Sequence, residues 1–349
     1  MKILFANATR TWGGVKTWTL NLVRAFAESG ISSIVCCRRT DPLLARCAEA
    51  GALVEPFTFG MDYNPLAMIR AYRILKKHRP SCIVTNISKE LRIFGPIARA
   101  LGIPVVARLG LSTDLRNNTR TRLEYRNLVR AILVPSHAIA RDLPREIIGA
   151  TPIQVVHNGV VVSNRTSWDS DARPVRTVFL GKLIERKGIA AILEAVSILI
   201  REGEPVEAEI IGDGAQADEL HKRYGAVSGI TFSGYCPMPR PNLLQAHIGV
   251  CNSSHEGFPN TLLEYMAAGL AIVTTEVDGI SEMLVNGREA LFVSCNNVPA
   301  ITEALRNLVR NPALRTTLAQ AAHARAIREF SINGQAAKIA SFFRSIAKP

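Results

Sequence analysis

Glu256 and Glu264 are the residues whose type and spacing speak most directly of chemistry, with seven residues between them. An ionised glutamate only accepts hydrogen bonds, so Glu256, placed just ahead of a helix, suits sugar hydroxyls. Glu264 falls in the first turns of that helix and can face the same side. The helix mouth between them, Gly257-Phe258-Pro259-Asn260-Thr261-Leu262, offers backbone N–H groups and a partial positive charge. Both suit a phosphate.

Such residues need elements to hold them, and the flanking sequence supplies these. Ile248-Gly249-Val250 is a short apolar run that ends in a polar loop, as a buried strand does. Gly257 and Pro259 keep the loop irregular, and Asn260 or Thr261 is expected to cap a helix. That helix runs through Leu262, Leu263, Tyr265, Met266 and Ala267 and stops at Gly269. Ala271 to Thr275 then reads as a second strand. Strand, loop, helix, strand is one βαβ unit of a parallel sheet, where ligands bind outside the carboxyl ends of the strands.

Residues 256–269 resemble the Glu-x7-Glu signature of the retaining glycosyltransferases of family 4, including the Gly-Phe-Pro loop and the Ala-Ala-Gly helix end. The resemblance extends over essentially the whole chain. It implies an α/β protein of GT-B fold, with two Rossmann-like, doubly wound parallel-sheet domains facing a cleft. Residues 1–160 would form the acceptor-side domain and 161–330 the sugar-nucleotide donor domain. Residues 331–349 would form a helix crossing back to the first domain. The chain length, 349 residues, independently favours two domains, because single cores stop growing at about 250–300 residues.

The donor side of this reading draws on several stretches. Val178 to Gly188 resembles the family's strand end, with Lys182 where arginine is usual and Lys187 after it. Two cations there can neutralise a diphosphate as it leaves, although lysine lacks arginine's bidentate fork. Gly212-Asp213-Gly214 resembles the loop lining the nucleotide pocket, and Ser233-Gly234-Tyr235 the loop bordering the base. A dinucleotide reading of the Gly212 stretch is weak, because the next strand ends without an acidic residue for a ribose. Gly13-Gly14 lets the backbone approach a ligand at a helix start, and resembles the glycine loop near the donor diphosphate. On this reading Glu256 takes sugar hydroxyls and Glu264 the ribose.

The acceptor side departs from the family. Where many members carry a histidine, this chain has Arg108-Leu109-Gly110, and after the preceding strand it has Asn86. Asn86, Lys89, Glu90 and Arg108 are the substitutes expected to meet the acceptor. His157 reads as structural.

Charge is one-sided. The net charge is +13, and residues 1–160 hold 23 Lys+Arg against 10 Asp+Glu, while residues 161–349 hold 19 of each. A basic first half calls for an anionic partner: a membrane surface, a phosphorylated glycolipid or nucleic acid. The helix Pro65–His78 carries Arg70, Arg73, Lys76 and Lys77 on one face, either as a solvated face or as a surface resting on anionic lipid. The arginines of residues 108–130 are interleaved with one aromatic, Tyr125, which speaks against a nucleic-acid groove. Seven scattered cysteines without a Cys-x-x-Cys pair suggest reduced thiols and no zinc site. No apolar run approaches a membrane span and Met1 to Asn7 reads as a first strand, so a cytoplasmic protein is expected, held where needed at the inner face of a membrane.

The expected reaction is transfer of a sugar from a UDP- or GDP-sugar to a lipid-linked or lipopolysaccharide-type glycan, with retention and with no metal or other cofactor. Two other readings stay open: a sugar-nucleotide epimerase on this scaffold, and a non-catalytic sugar-nucleotide binder. An epimerase is not expected to carry this loop and helix. The missing histidines keep the binder open.

Overall fold

Short apolar strands alternate with amphipathic helices along the chain, a pattern that builds parallel sheets with helices on both faces. The computed structural model describes residues 1–162 and 173–347. The stretch from Val162 to Arg176, rich in Ser, Asn, Asp and Pro, reads as a linker, and most of it lies outside the described residues.

The first sheet contains β1 (Lys2–Asn7), β2 (Ser32–Cys37), β3 (Leu53–Pro56), β4 (Cys82–Thr85), β5 (Val105–Arg108), β6 (Ala131–Val134) and β7 (Ile153–Val155). Its helices are α1 (Gly14–Glu28), α2 (Pro42–Glu49), α3 (Pro65–His78), α4 (Ser88–Ala100), α5 (Thr119–Leu128), α6 (His137–Asp142) and α7 (Arg145–Ile148). The strands are all parallel in the order β3-β2-β1-β4-β5-β6-β7. The order reverses between β1 and β4, the kind of switch point where such sheets bind ligands.

The second sheet contains β8 (Val175–Leu180), β9 (Val206–Ile211), β10 (Ile230–Gly234), β11 (Ile248–Cys251), β12 (Ala271–Thr275) and β13 (Leu291–Val293). They too are parallel, in the order β10-β9-β8-β11-β12-β13. The helices are α8 (Ile189–Arg201), α9 (Ala217–Tyr224), α10 (Arg240–Leu243), α11 (Asn260–Ala268), α12 (Ile280–Met283), α13 (Val298–Arg310) and α14 (Pro312–Phe330), followed by α15 (Ile332–Ala347).

The chain divides into two compact units. One holds Met1–Gly159 together with Ile332–Pro349, the other Val160–Ser331. In the first unit, Leu4, Ala6 and Ile83 face one apolar cluster, while Ile3, Phe5, Val84 and Val106 face another with Trp18 and Phe26 of α1. Helix α15 joins that second cluster through Ala336, Ile339, Ala340 and Phe343, and the Phe26 and Phe343 rings meet edge to face at 6.4 Å. Gly159 sits where the returning backbone passes: a Cβ there would fall 2.8 Å from the Cα of Ile332. Burial on both faces explains why these strands read as continuous apolar runs without alternation.

One helix differs from its sequence reading. Pro96 and Gly95 suggest a start at Gly95, yet α4 begins at Ser88. The Glu90 carboxylate supplies the start signal by accepting from the backbone N–H of Asn86 at 2.5 Å and of Ile87 at 3.2 Å. Pro96 is accommodated inside the helix.

Candidate active site

The mouth of α11 is built by a chain of local restraints in the second unit. Tyr265 is fully buried in α11, and its hydroxyl accepts from Leu180 N at 2.8 Å. The same oxygen lies 3.3 Å from Val178 O and 3.4 Å from Val250 O. One side chain thus ties the helix to β8 and β11. Gly249 makes room for it, since a Cβ there would lie 2.4 Å from the Tyr265 ring.

The loop ahead of α11 is strapped to the turn that carries Lys187. Asn252 Nδ2 donates to Gly188 O at 2.9 Å, and Ser254 N donates to Arg186 O at 2.9 Å. Gly188 has φ +58°, and a Cβ there would collide with Asn252 at 2.4 Å, so the turn requires glycine. These straps set Lys187 against Glu256: the ammonium donates to Oε1 as an ion pair. Arg186 Nη1 lies 3.7 Å from the other oxygen and also donates to His255 O. The Glu256 backbone N–H donates to Asp278 Oδ2 at 2.8 Å, with Asp278 itself in the left-handed region at φ +43°. Glu256 is 7% exposed and therefore held rather than waving in solvent.

Asn260 or Thr261 was expected to cap α11 with its side chain. The helix instead starts at Asn260, with Pro259 in the cap position and no side-chain cap bond. Thr261 Oγ1 is used elsewhere, donating to Leu180 O at 3.2 Å. Phe258 and Leu262 are buried in the apolar cluster, Phe258 with its ring 5.5 Å from that of Phe330. These two positions, with Gly257, can offer a ligand backbone only. Glu264 is half-buried, and desolvation pushes its carboxyl up to about 7, opposed by the positive charge of Arg240.

Lys182 is exposed beyond the end of β8. The loops leaving β8 and β9 pass close together: Gly212 has φ +153°, and a Cβ on it would strike Gly181 O at 1.8 Å. The exposed Asp213 accepts from Gly214 N at 2.7 Å through Oδ1, and Tyr235 is 54% exposed. Thus the structure brings Lys187 and Glu256 into contact. It places Glu264 one to two turns into α11, and sets Lys182, Gly212, Asp213 and Tyr235 on loops after β8, β9 and β10 of the same sheet.

The remaining candidates lie in the first unit. Gly14 is the first residue of α1, two residues ahead of a buried ion pair between Lys16 Nζ and Asp41 at 2.6 Å. Lys89 donates to Gly60 O at 2.7 Å. Glu90 is 0% exposed and accepts from Ala8 N at 2.6 Å as well as from Asn86 and Ile87. Burial pushes its carboxyl up to about 7 against the pull of those donors. Its oxygens are committed to backbone, so Glu90 clamps the ends of β1 and β4. Arg108 is 5% exposed and lies over the Trp18 ring at 4.4 Å. His157 contacts Pro135 O at 2.9 Å.

Sequence reasoning missed Arg186, Asn252, Tyr265 and Asp278. Only Asp278, in the turn-like Glu276-Val277-Asp278-Gly279, left a local signal; the others act across 64 or more residues. Among the described residues no group of three or more His, Cys, Asp or Glu side chains could hold a metal ion. No described helix is long and apolar enough to cross a membrane.

Two doubly wound parallel-sheet units are the architecture of the GT-B fold. Residues 12–164 match the family model "Glycosyltransferase Family 4", and residues 174–311 match "Glycosyl transferases group 1". The chain belongs to the glycosyltransferases. It is 25% identical over 328 residues to the lipopolysaccharide core biosynthesis glycosyltransferase LpsE of Rhizobium meliloti, covering 91% of this chain and 92% of that protein. It is 28% identical over 331 residues to a phosphatidyl-myo-inositol mannosyltransferase of Mycolicibacterium smegmatis, covering 87% and 83%. Among solved structures it is similar to Anabaena Alr3699/HepE in complex with UDP-glucose. The TM-score is 0.84 at 18% identity, covering 99% of this chain and 100% of the other, a likeness of fold.

Proposed function

We propose that this glycosyltransferase moves a sugar from a nucleoside-diphosphate sugar to a lipid-linked or lipopolysaccharide-type glycan, with retention of configuration and without a required metal. The observation that carries this reading is the Lys187–Glu256 pair set beside the mouth of α11. In the ligand-free chain Glu256 neutralises Lys187. A donor diphosphate would draw the ammonium to itself, and Lys182 would add a second cation. Glu256 would then be released to accept from sugar hydroxyls while Asp278 keeps hold of its backbone. The backbone N–H groups of the first turn of α11 would face the charge that grows on the leaving phosphate, where preorganised donors count most. Glu264 would accept from the ribose hydroxyls. Retention follows from the resemblance to family 4, with the leaving phosphate assisting removal of the acceptor proton. Support for the acceptor class comes from the relatives' names and from the basic first half.

The first unit also offers a surface for an anionic membrane. On α3 and its approach, Met61, Leu66, Ile69 and Tyr72 are exposed apolar side chains beside Arg70, Arg73, Lys76 and Lys77. Leu66, Ile69, Arg70 and Arg73 border a groove of about 500 Å³. Exposed apolar groups with a basic rim match the polar–apolar boundary of a bilayer.

The test is turnover of UDP- and GDP-sugars, read as release of the nucleoside diphosphate with and without glycan acceptor. Lys187→Ala should lower kcat by a factor of 100 or more, since a donor at the developing charge is removed. Lys187→Arg should recover part of it. Full turnover by Lys187→Ala would overturn the assignment.

A further inference from the structure

The carboxyl ends of β1, β4 and β5 carry a polar row that the packing leaves incomplete. Phe5 pairs with Val84, and Val84 with Val106, in register across the three strands. Asn7, Asn86 and Arg108 each come two residues later, so they continue the same face, the one covered by α1. All three are buried, at 0%, 5% and 5% exposure. Asn86 Nδ2 donates to Ala6 O at 3.0 Å, and Asn7 Oδ1 accepts from Thr9 N at 3.2 Å. The other halves of the two amides, Asn7 Nδ2 and Asn86 Oδ1, are buried without a hydrogen-bond partner among the described residues.

Arg108 is the more unusual member. Its guanidinium is stacked on Trp18 of α1 and donates to Asn158 Oδ1 at 3.3 Å. No carboxylate oxygen among the described residues lies within ion-pair distance of it. Asp114 acts on it through space only, with its Oδ2 accepting from Gly110 N and Leu111 N at 3.0 and 2.9 Å. Burial accordingly pulls the Arg108 group down to about 10. A buried, unpaired cation costs several kcal/mol, and buried polar atoms without partners add to that. Several other buried charges among the described residues are ion-paired: Lys16 with Asp41, Glu124 with Arg92, Glu256 with Lys187 and Glu289 with Arg325. Gly110 presents no side chain to Nη1, where a Cβ would lie at 3.9 Å.

We infer that this row is a binding site for an acidic sugar, whose oxyanion pairs with Arg108 and Asn7 Nδ2 while a neighbouring hydroxyl donates to Asn86 Oδ1. An anion without a hydroxyl, such as sulfate, would leave the Asn86 acceptor unpaired, and a neutral sugar would leave the guanidinium so. Only a molecule with both groups satisfies the row. The shared chemistry is that of a carboxylate- or phosphate-bearing sugar. As part of the transferase reading, the site specifies an acidic residue at the acceptor's reacting end, although the binding itself does not depend on turnover.

The experiment uses the full chain without nucleotide. Thermal shift and calorimetric titration compare methyl glucuronide, glucose 6-phosphate, methyl glucoside and inorganic sulfate. The acidic sugars should stabilise the protein, and whichever of the first two binds more tightly identifies the anion; the neutral glucoside and bare sulfate should be weaker by on the order of tenfold or more. Two variants give opposite signatures to ligand and fold. Arg108→Met and Asn158→Asp should both raise Tm, the first by removing the unpaired charge and the second by placing a carboxylate where the guanidinium already donates. Both should abolish the preference for acidic sugars. UDP binding, whose candidate residues lie largely in the other unit, should persist and serves as the folding control. If both variants lower Tm and the acidic and neutral sugars bind alike, Arg108 is a structural residue and the inference falls. Acidic-sugar binding without any sugar-nucleotide turnover would sink the transferase proposal and leave this site standing. Turnover with no acidic-sugar binding would do the reverse.

Discussion

At the scale of single residues, the two signature glutamates have different electrostatic lives. Glu256 is matched by Lys187, with Arg186 near its second oxygen. Glu264 has burial against it, which holds its carboxyl up to about 7. A carboxyl raised in the folded state binds its proton more tightly than in the unfolded chain. Its contribution to stability is therefore present at low pH and lost as pH rises through about 7. Ribose hydroxyls call for the ionised form, so binding runs the other way. Affinity for UDP should rise as pH increases from about 6 to 8, and Glu264→Gln should flatten that rise while making stability less sensitive to pH over the same window. Calorimetric titration and thermal unfolding at four or five pH values check both. A wild-type affinity independent of pH would remove Glu264 from the ribose.

At the scale of elements, placement of α11 rests on a hydroxyl. Tyr265 takes the N–H of Leu180 at the end of β8 and fills the space left by Gly249 on β11. Tyr265→Phe keeps the ring but leaves the Leu180 N–H buried and unsatisfied, a cost of about 1–3 kcal/mol. Denaturant unfolding should show a loss of that size with an unchanged m-value, together with a higher KM for the donor because the helix mouth is no longer pinned. Unchanged stability would mean that the hydroxyl is dispensable and that ring packing alone seats the helix. The two strand-end clamps follow one logic in both units. A buried polar side chain, Glu90 in the first and Tyr265 in the second, ties neighbouring elements together where ladder hydrogen bonding runs out.

At the scale of the whole molecule, charge separates with the units. Residues 160–331 hold 16 Lys+Arg against 19 Asp+Glu, so the unit made of 1–159 and 332–349 carries the entire positive excess. A field so divided would orient the first unit toward anionic surfaces, an effect screened over about 8–10 Å at physiological salt. Vesicles with 30% anionic lipid should bind the protein at low salt and release it as ionic strength rises. Leu66→Ala combined with Ile69→Ala should weaken binding at constant charge, whereas a purely electrostatic attachment would leave it unaltered. Co-sedimentation separates the two outcomes.

Much of this was legible along the chain because it is local. Alternating apolar runs, glycines at turns and the Glu256–Glu264 stretch mark βαβ units within a few tens of residues, and period and capping chemistry act at that range. Where local signals compete, as with Gly95 and Pro96 inside α4, the reading slips, because the capping carboxylate of Glu90 draws on a strand end 82 residues away. The sequence alone determines two parallel-sheet halves, the glycine turns and which residue types stand at each strand end. Only the tertiary structure decides which of them are already paired. It sets Lys187 on Glu256 across 69 residues, commits Glu90 to backbone, and leaves Arg108 buried without a counter-charge. The reason is that desolvation and ion pairing depend on what surrounds a group in space, and neighbours brought together by strand register leave no trace in spacing along the chain.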